Sequence, residues 1–236
     1  MNNLVKGLIF YCFLFMLMGC KAEIIETKIK TEKLKIAISQ KFTTIPFKAK
    51  ITLMGDEKDT RQQMETFQNI LEKYIEVEDL EISKSMMGMD LVIEGNIPLV
   101  FGDKLPKGRQ DPWALFVKKN ERKVLATEFP FVLTLRPTRS FGGFKNEFSE
   151  KNILLVPDPN QPIVFKFRNN DGSILRIFSG GVEVAGKHFA VFEGSADKRL
   201  SIRMKGGVYD HVNPLLFFLS LIHISEPTRQ EAISYA

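Results

Sequence analysis

The sequence predicts an α+β fold, in which one amphipathic helix packs on antiparallel strands and a small antiparallel, β-sandwich-like module follows. Helical spacing of apolar residues is clear in one segment, between Asp56 and Tyr74. Alternation of apolar and polar residues, which is typical of half-buried strands, recurs through much of the remaining chain. Three prolines within residues 157–162 separate two parts. We therefore predict an α+β domain over residues 41–156 and a β-rich module over residues 157–218.

The segment before this domain, residues 20–40, is expected to contain a lipid-bearing cysteine and a tether. Within it, we predict a strand at Ile24 to Lys30 and a short helix at Thr31 to Ile38. The next strand is predicted from apolar residues that alternate with polar ones, namely Phe47, Ala49, Ile51 and Leu53.

The amphipathic helix is predicted to begin near Asp56 or Asp59, because either carboxylate can accept hydrogen bonds from the free N–H groups of a first helical turn. Its apolar residues recur every three or four positions and define one face: Met64, Phe67, Ile70, Leu71 and Tyr74. The opposite face mixes both signs of charge, which favours packing against a core over binding to a membrane.

Further strands are predicted from Val77 onward. The alternating residues near Trp113 lead into a polar hairpin turn at residues 118–122, and the chain returns through Val124 to Leu135. Pro130 limits this return strand to an edge position or splits it. The segment from Arg136 to Ser149 contains two adjacent glycines and is predicted to be a loop.

Short strands are also predicted beyond the prolines. A strand containing Phe165 is followed by a turn at residues 169–172 and by a return strand containing Ile177. Near the end, Ile202 lies in another alternating segment. Strands of this length and spacing predict the sandwich-like module.

The chain begins with a pattern typical of a lipoprotein signal peptide. One positive charge precedes a dense apolar run that ends in Leu17-Met18-Gly19-Cys20, the pattern of a lipobox. We predict that residues 1–19 are removed and that Cys20 carries the lipid, including palmitate, on the outer side of a bacterial inner membrane. An uncleaved anchor helix is the alternative. Lys21 favours the outer membrane, because an inner-membrane retention signal would place Asp there.

Cysteine usage agrees with this prediction. The two cysteines are Cys12, inside the predicted signal peptide, and Cys20 itself. The mature domain would then have no disulfide, no catalytic thiol and no cysteine-ligated metal. The formal net charge of +5 favours contact with anionic partners through a long-range field.

Residues 219–236 are predicted to be a non-native artefact. Leu219 to Arg229 match, codon for codon, the transposase adapter of shotgun sequencing libraries, and the following residues fit an index and a flow-cell sequence. The last native residue would then be Phe218, and the module would be truncated at its C-terminus. An ordinary, weakly patterned C-terminal segment is the alternative.

No catalytic or metal-binding constellation is found in the sequence. It contains no His-Glu-x-x-His or Gly-x-Ser-x-Gly motif. His188 lies alone in a predicted strand, and the Asp210-His211 pair lacks further ligands. We therefore expect no enzymatic activity, no cofactor and no metal.

Basic residues form three groups in the sequence. Two of them, Lys104 to Arg109 and Lys118 to Lys123, are interpreted as solvated turns, with contact to anionic headgroups or glycan phosphates as the alternative. The third group mixes basic and aromatic residues in the predicted loop and is the best candidate for ligand contact: Arg136, Arg139, Phe141, Phe144 and Lys145.

Several segments resemble a family of small lipoproteins of unassigned function from Gram-negative bacteria and their mobile elements. They are Cys20 to Ile24, Phe42 to Leu53, the helix, Glu94 to Leu99, Leu115 to Ala126, Phe167 to Asp171 and Gly181 to Gly186. The resemblance implies a lipid-anchored domain and supplies no catalytic residues.

Taken together, these features predict a lipid-anchored, periplasm-facing cell-envelope protein. Its role is expected to be structural or in protein interaction, with an envelope protein as partner and with a mobile element as a conceivable source of the gene. The alternative is a binding module for an anionic glycan or lipid, which would use the basic and aromatic loop. No nucleic-acid partner is expected.

Overall fold

A computed structural model describes residues 21–54, 57–85, 88–151, 162–205 and 215–222. The strands are β1 Lys21–Lys30, β2 Phe42–Met54, β3 Glu76–Ser85, β4 Gly88–Phe101, β5 Trp113–Lys119, β6 Phe131–Pro137, β7 Pro162–Arg168, β8 Ile174–Val184, β9 Lys187–Ala196, β10 Arg199–Lys205 and β11 Leu215–Ile222. The helices are α1 Thr31–Gln40, α2 Glu57–Tyr74, α3 Lys123–Ala126 and α4 Phe141–Glu150. The protein is therefore mixed, with strands in the majority.

Nine strands form a closed barrel in the order β10-β7-β1-β2-β4-β5-β6-β11-β8, and pairing of β8 with β10 closes the ring. Neighbours are antiparallel except for β1 with β7 and β4 with β5, which are parallel. Strand β3 pairs with the first part of β4, and β9 pairs with β8. Two strands therefore lie outside the ring: β3 is next to β4, and β9 is next to β8.

The interior of the barrel is filled with apolar side chains. Fully buried residues from strands on all sides form one cluster, which includes Ile45, Leu99, Leu133 and Phe165. Leu34 and Ala37 of α1 belong to the same cluster. The barrel is therefore a packed core, with one helix contributing to it, as expected for a ring of this size.

A second apolar cluster lies where β2, β3 and β4 extend beyond the ring. The apolar face predicted for the helix is confirmed in α2, with Met64, Phe67, Ile70 and Leu71 buried and Tyr74 half-buried. These side chains pack on β4 residues Met89, Leu91 and Ile93 and on Phe144 and Phe148 of α4. Burial of one apolar stripe against a sheet is what the 3.6-residue period predicts.

The predicted sandwich-like module is wrong. Strand β7 pairs with β1 (Ile25 with Ile163), and β11 lies between β6 and β8. Strands from both sides of the proline-rich segment therefore share one ring. Alternation predicts which face of each strand is buried, but a sandwich and a barrel have the same alternation. The prolines themselves lie outside the described residues, apart from Pro162 at the start of β7.

The N-terminal predictions of a strand and a short helix are confirmed by β1 and α1. The predicted loop from Arg136 to Ser149 is wrong, because α4 occupies Phe141–Glu150. The predicted return strand is shorter than expected, since α3 and a turn precede β6. The capping role of Asp56, the Asp210-His211 pair and the lipobox lie outside the part of the chain that is described.

Candidate anion-binding groove

A groove of about 610 Å³ lies on the outer wall of the barrel. One side is the connection between β4 and β5, residues 102–112, and the other is the turn at residues 138–140 that leads into α4. Because β4 and β5 are parallel, the chain must cross back along the barrel before β5 can begin. The groove is thus a direct result of this parallel pairing.

Backbone hydrogen bonds hold the connection in place at both ends. The amide of Gly102 donates to the Val117 carbonyl at 2.9 Å, and the amide of Thr138 donates to the Pro112 carbonyl at 2.8 Å. The Thr138 hydroxyl also donates to the carbonyl of Asp111, at 2.5 Å. Leu105 packs on the small outer cluster that contains Phe116. The wall of the groove is therefore fixed relative to the barrel.

Two arginines of the groove are held by neighbouring side chains. Arg109 donates two hydrogen bonds of 2.8 Å each to the buried carboxylate of Asp111. The guanidinium of Arg136 lies 4.2 Å from the centre of the Phe116 ring and donates to the carbonyl of Asp103 at 3.1 Å. Stacking on an aromatic ring and bidentate pairing orient a guanidinium plane.

Among the thirteen described residues that line the groove, five are basic and one, Asp103, is acidic. Its carboxylate pairs with Lys118 and lies 3.8 Å from Arg136. The hydrogen bond from Lys118 holds the pKa of Asp103 below its usual value. The carboxylate therefore stays ionised at neutral pH and offsets part of the positive charge.

Three cations of the groove have no counter-ion among the described residues. Lys104, Lys107 and Arg139 are exposed, and none of them forms an ion pair or a side-chain hydrogen bond with another described residue. Unpaired cations around a concave surface create a local positive potential that attracts anions. This arrangement is suited to binding an anionic ligand.

The structure separates the predicted contact residues into two sets. Arg136 and Arg139 line the groove. Phe144 is 1% exposed, and its ring lies 5.2 Å from that of Trp113 and 5.4 Å from that of Tyr74, so it belongs to the core. Phe141 and Lys145 lie on α4 and do not line the groove.

Sequence reasoning missed that a second basic group contributes to the same site. The sequence pattern favours solvated turns for Lys104, Lys107 and Arg109, whereas in the structure they line the same groove as Arg136 and Arg139. Phe116 was also missed. Phe116 lies in β5 between the interior residues Leu115 and Val117, so its side chain points to the outside of the barrel. An aromatic ring at such a position indicates that other residues pack over it.

A smaller pocket of about 280 Å³ adjoins the groove and shares Gly108 and Arg109 with it. Its other lining residues include Tyr74 and Gln110 together with charges of both signs. The Tyr74 hydroxyl donates to Glu147 at 2.7 Å. That hydrogen bond raises the pKa of Tyr74, so the phenol keeps its proton.

The described residues contain no cluster of three or more potential metal ligands, and His188 lies exposed in β9, 4.0 Å from Glu183. None of the described helices combines the length and the apolar character needed to cross a membrane. Comparison of the chain with family models, with curated proteins and with solved structures finds no match.

Proposed function

We propose that this chain is a non-enzymatic, lipid-anchored protein of the bacterial cell envelope whose barrel binds an anionic ligand in the basic groove. The observation that carries the proposal is the convergence of Lys104, Lys107 and Arg139, which have no counter-ion among the described residues, on one concave surface. The lipobox at Cys20 supports the location at the envelope.

The test is binding of the full chain to a fluorescent polyanion, such as labelled heparin, at several salt concentrations. Lys104→Ala/Lys107→Ala/Arg139→Ala should weaken binding about tenfold, because three exposed ionic contacts of roughly 0.5 kcal/mol each are lost. Added salt should weaken binding by the wild-type chain more than binding by the variant.

A matched control is Lys187→Ala/Lys198→Ala/Arg199→Ala, which removes the same charge from exposed positions in and around β9 and β10. This variant should bind nearly as well as the wild-type chain. Equal loss in both triple variants would mean that net charge, and not the groove, controls binding, and the proposal would then be abandoned.

A role in protein interaction is the second candidate, supported by one observation on β9. Within the described part of the chain, this strand pairs with β8 alone, and its Val191 is 62% exposed. An unpaired strand edge can accept a strand from a partner. Crosslinking in the envelope through a photoreactive residue at position 191 would capture such a partner, and β9 has no such role if nothing is captured.

A further inference from the structure

The basic groove and the adjoining pocket lie side by side, and Gly108 and Arg109 line both of them. The two together are called the track below. The groove side carries cations that have no counter-ion among the described residues, whereas the pocket side offers the Tyr74 and Gln110 side chains beside the carboxylates of Glu72, Glu76 and Asp111. Gln110 is exposed and forms no side-chain hydrogen bond with any described residue. One end of the track therefore suits acidic groups, and the other suits hydroxyl groups.

The groove lies far from Lys21, the first described residue, which follows the predicted lipid site in the sequence. Strand β1 begins at Lys21, directly after Cys20, and Lys21 pairs with Thr52, which in turn pairs with Asp90 of β4. The row that borders the groove is nine residues further along β4, at Leu99, Leu115 and Leu135. At about 3.3 Å per residue, this separation is about 30 Å along the strands.

We propose that the track binds an anionic glycan chain, with the acidic groups in the groove and neighbouring sugar hydroxyls at Gln110. This assignment rests on the function proposed above and narrows its ligand. Two observations favour a glycan over the headgroups of the anchoring bilayer. The site is concave, whereas a bilayer presents its phosphates in a plane. Lys21, the first described residue, is also about 30 Å from the groove along the strands.

The experiment uses the full lipidated chain on phosphatidylcholine vesicles and measures its affinity for oligogalacturonates of increasing length. Affinity should rise with length until the ligand spans both pockets. Gln110→Ala should weaken binding of the long oligomers about fivefold, the effect of one lost hydrogen bond, and leave the short ones unchanged. Gln62→Ala, at an exposed position on α2, is the matched control and should change neither.

Two further probes make the outcomes distinct. Phosphatidylglycerol in the vesicles should not compete with the oligomers, and polyphosphate, which lacks sugar hydroxyls, should bind equally to wild type and Gln110→Ala. Competition by phosphatidylglycerol would overturn the glycan assignment in favour of lipid headgroups. Loss of binding in the triple variant of the groove without any effect of Gln110→Ala would refute the track and leave the anion site. No effect of either variant would refute both proposals.

Discussion

Asp171 connects the turn between β7 and β8 to the first turns of α1. One carboxylate oxygen accepts hydrogen bonds from the Thr31 hydroxyl at 2.9 Å and from the Ser173 amide at 3.1 Å, and it also contacts the Ser173 hydroxyl. The other oxygen pairs with Lys35 at 2.7 Å. Thr31 and Ser173 are buried. This network therefore holds α1 in place through residues about 140 positions away in the sequence.

We expect Asp171→Asn to destabilise the protein by about 2 kcal/mol at pH 7. The amide keeps one acceptor but loses the charge, and hydrogen bonds to charged groups contribute about 1.5–3 kcal/mol, compared with about 1 kcal/mol for neutral ones. The side chains of Asp171 and Lys35 are 22% and 27% exposed, so screening by water reduces the ion pair but does not cancel it. For a domain of this size, the melting temperature should fall by roughly 4–8 °C.

The loss of stability caused by Asp171→Asn should become smaller as the pH falls. Burial alone would raise the pKa of Asp171, but hydrogen bonds from Lys35, Ser173 and Thr31 outweigh it and hold the pKa well below its usual value. The unfolded chain, with an ordinary pKa of about 3.9, therefore binds a proton first as the pH falls. The stabilisation is complete above that pH and is lost progressively below it.

Urea unfolding followed by the fluorescence of Trp113, the single tryptophan, measures both effects. The free-energy difference between wild type and Asp171→Asn should be constant from pH 7 to 5 and shrink toward pH 3. Asp197→Asn, at an exposed turn position, should stay within about 0.5 kcal/mol of wild type. A difference that is absent at pH 7, or that persists unchanged at pH 3, would refute this account of Asp171.

Three other substitutions, together with one control, test the core and the anchor. Gly95→Ala should destabilise the protein by about 1–3 kcal/mol in urea unfolding, because its Cβ would lie 2.4 Å from the Glu76 carbonyl oxygen, whereas Gly142→Ala in open space on α4 should stabilise slightly. Phe144→Ala should cost about 3–5 kcal/mol and speed hydrogen exchange in α2 and α4 more than in the barrel. Cys20→Ser should abolish palmitate incorporation and release the protein from membranes; continued labelling would exclude Cys20 as the lipid site.

The spacing of apolar residues predicted many of the individual helices and strands. The apolar face of α2 is reported directly by the spacing of Met64, Phe67, Ile70 and Leu71, because all four must point to one side of a helix. The strand at Phe47 is found for the same reason at a period of two. In α4, the two glycines indicated a turn, but Phe144 and Phe148 are four positions apart and both become buried. A spacing of four is typical of one face of a helix, and burial of both rings stabilises the helix despite the two glycines.

Closure of the barrel could not be predicted in this way. The contacts that close it join distant residues, such as Ile25 with Ile163 and Ile202 with Val184. Alternation describes the two faces of a strand and contains no information on its neighbours. The groove could not be predicted for the same reason. Its basic residues lie in two separate groups in the sequence, and the pairing of β4 with β5 brings the two groups together.

The change of partner along β4 connects the fold to the proposed site. The first part of β4 pairs with β3 and supports α2, whereas Leu99 to Phe101 pair with β5 in parallel. A parallel neighbour requires the chain to cross the outer wall, and this crossing carries Lys104 and Lys107. Most of the barrel core comes from other residues, so the crossing can vary in charge without loss of the ring. In the proposed function, the topology therefore sets the position of the anion site, and the residues of the crossing set its preference for a ligand.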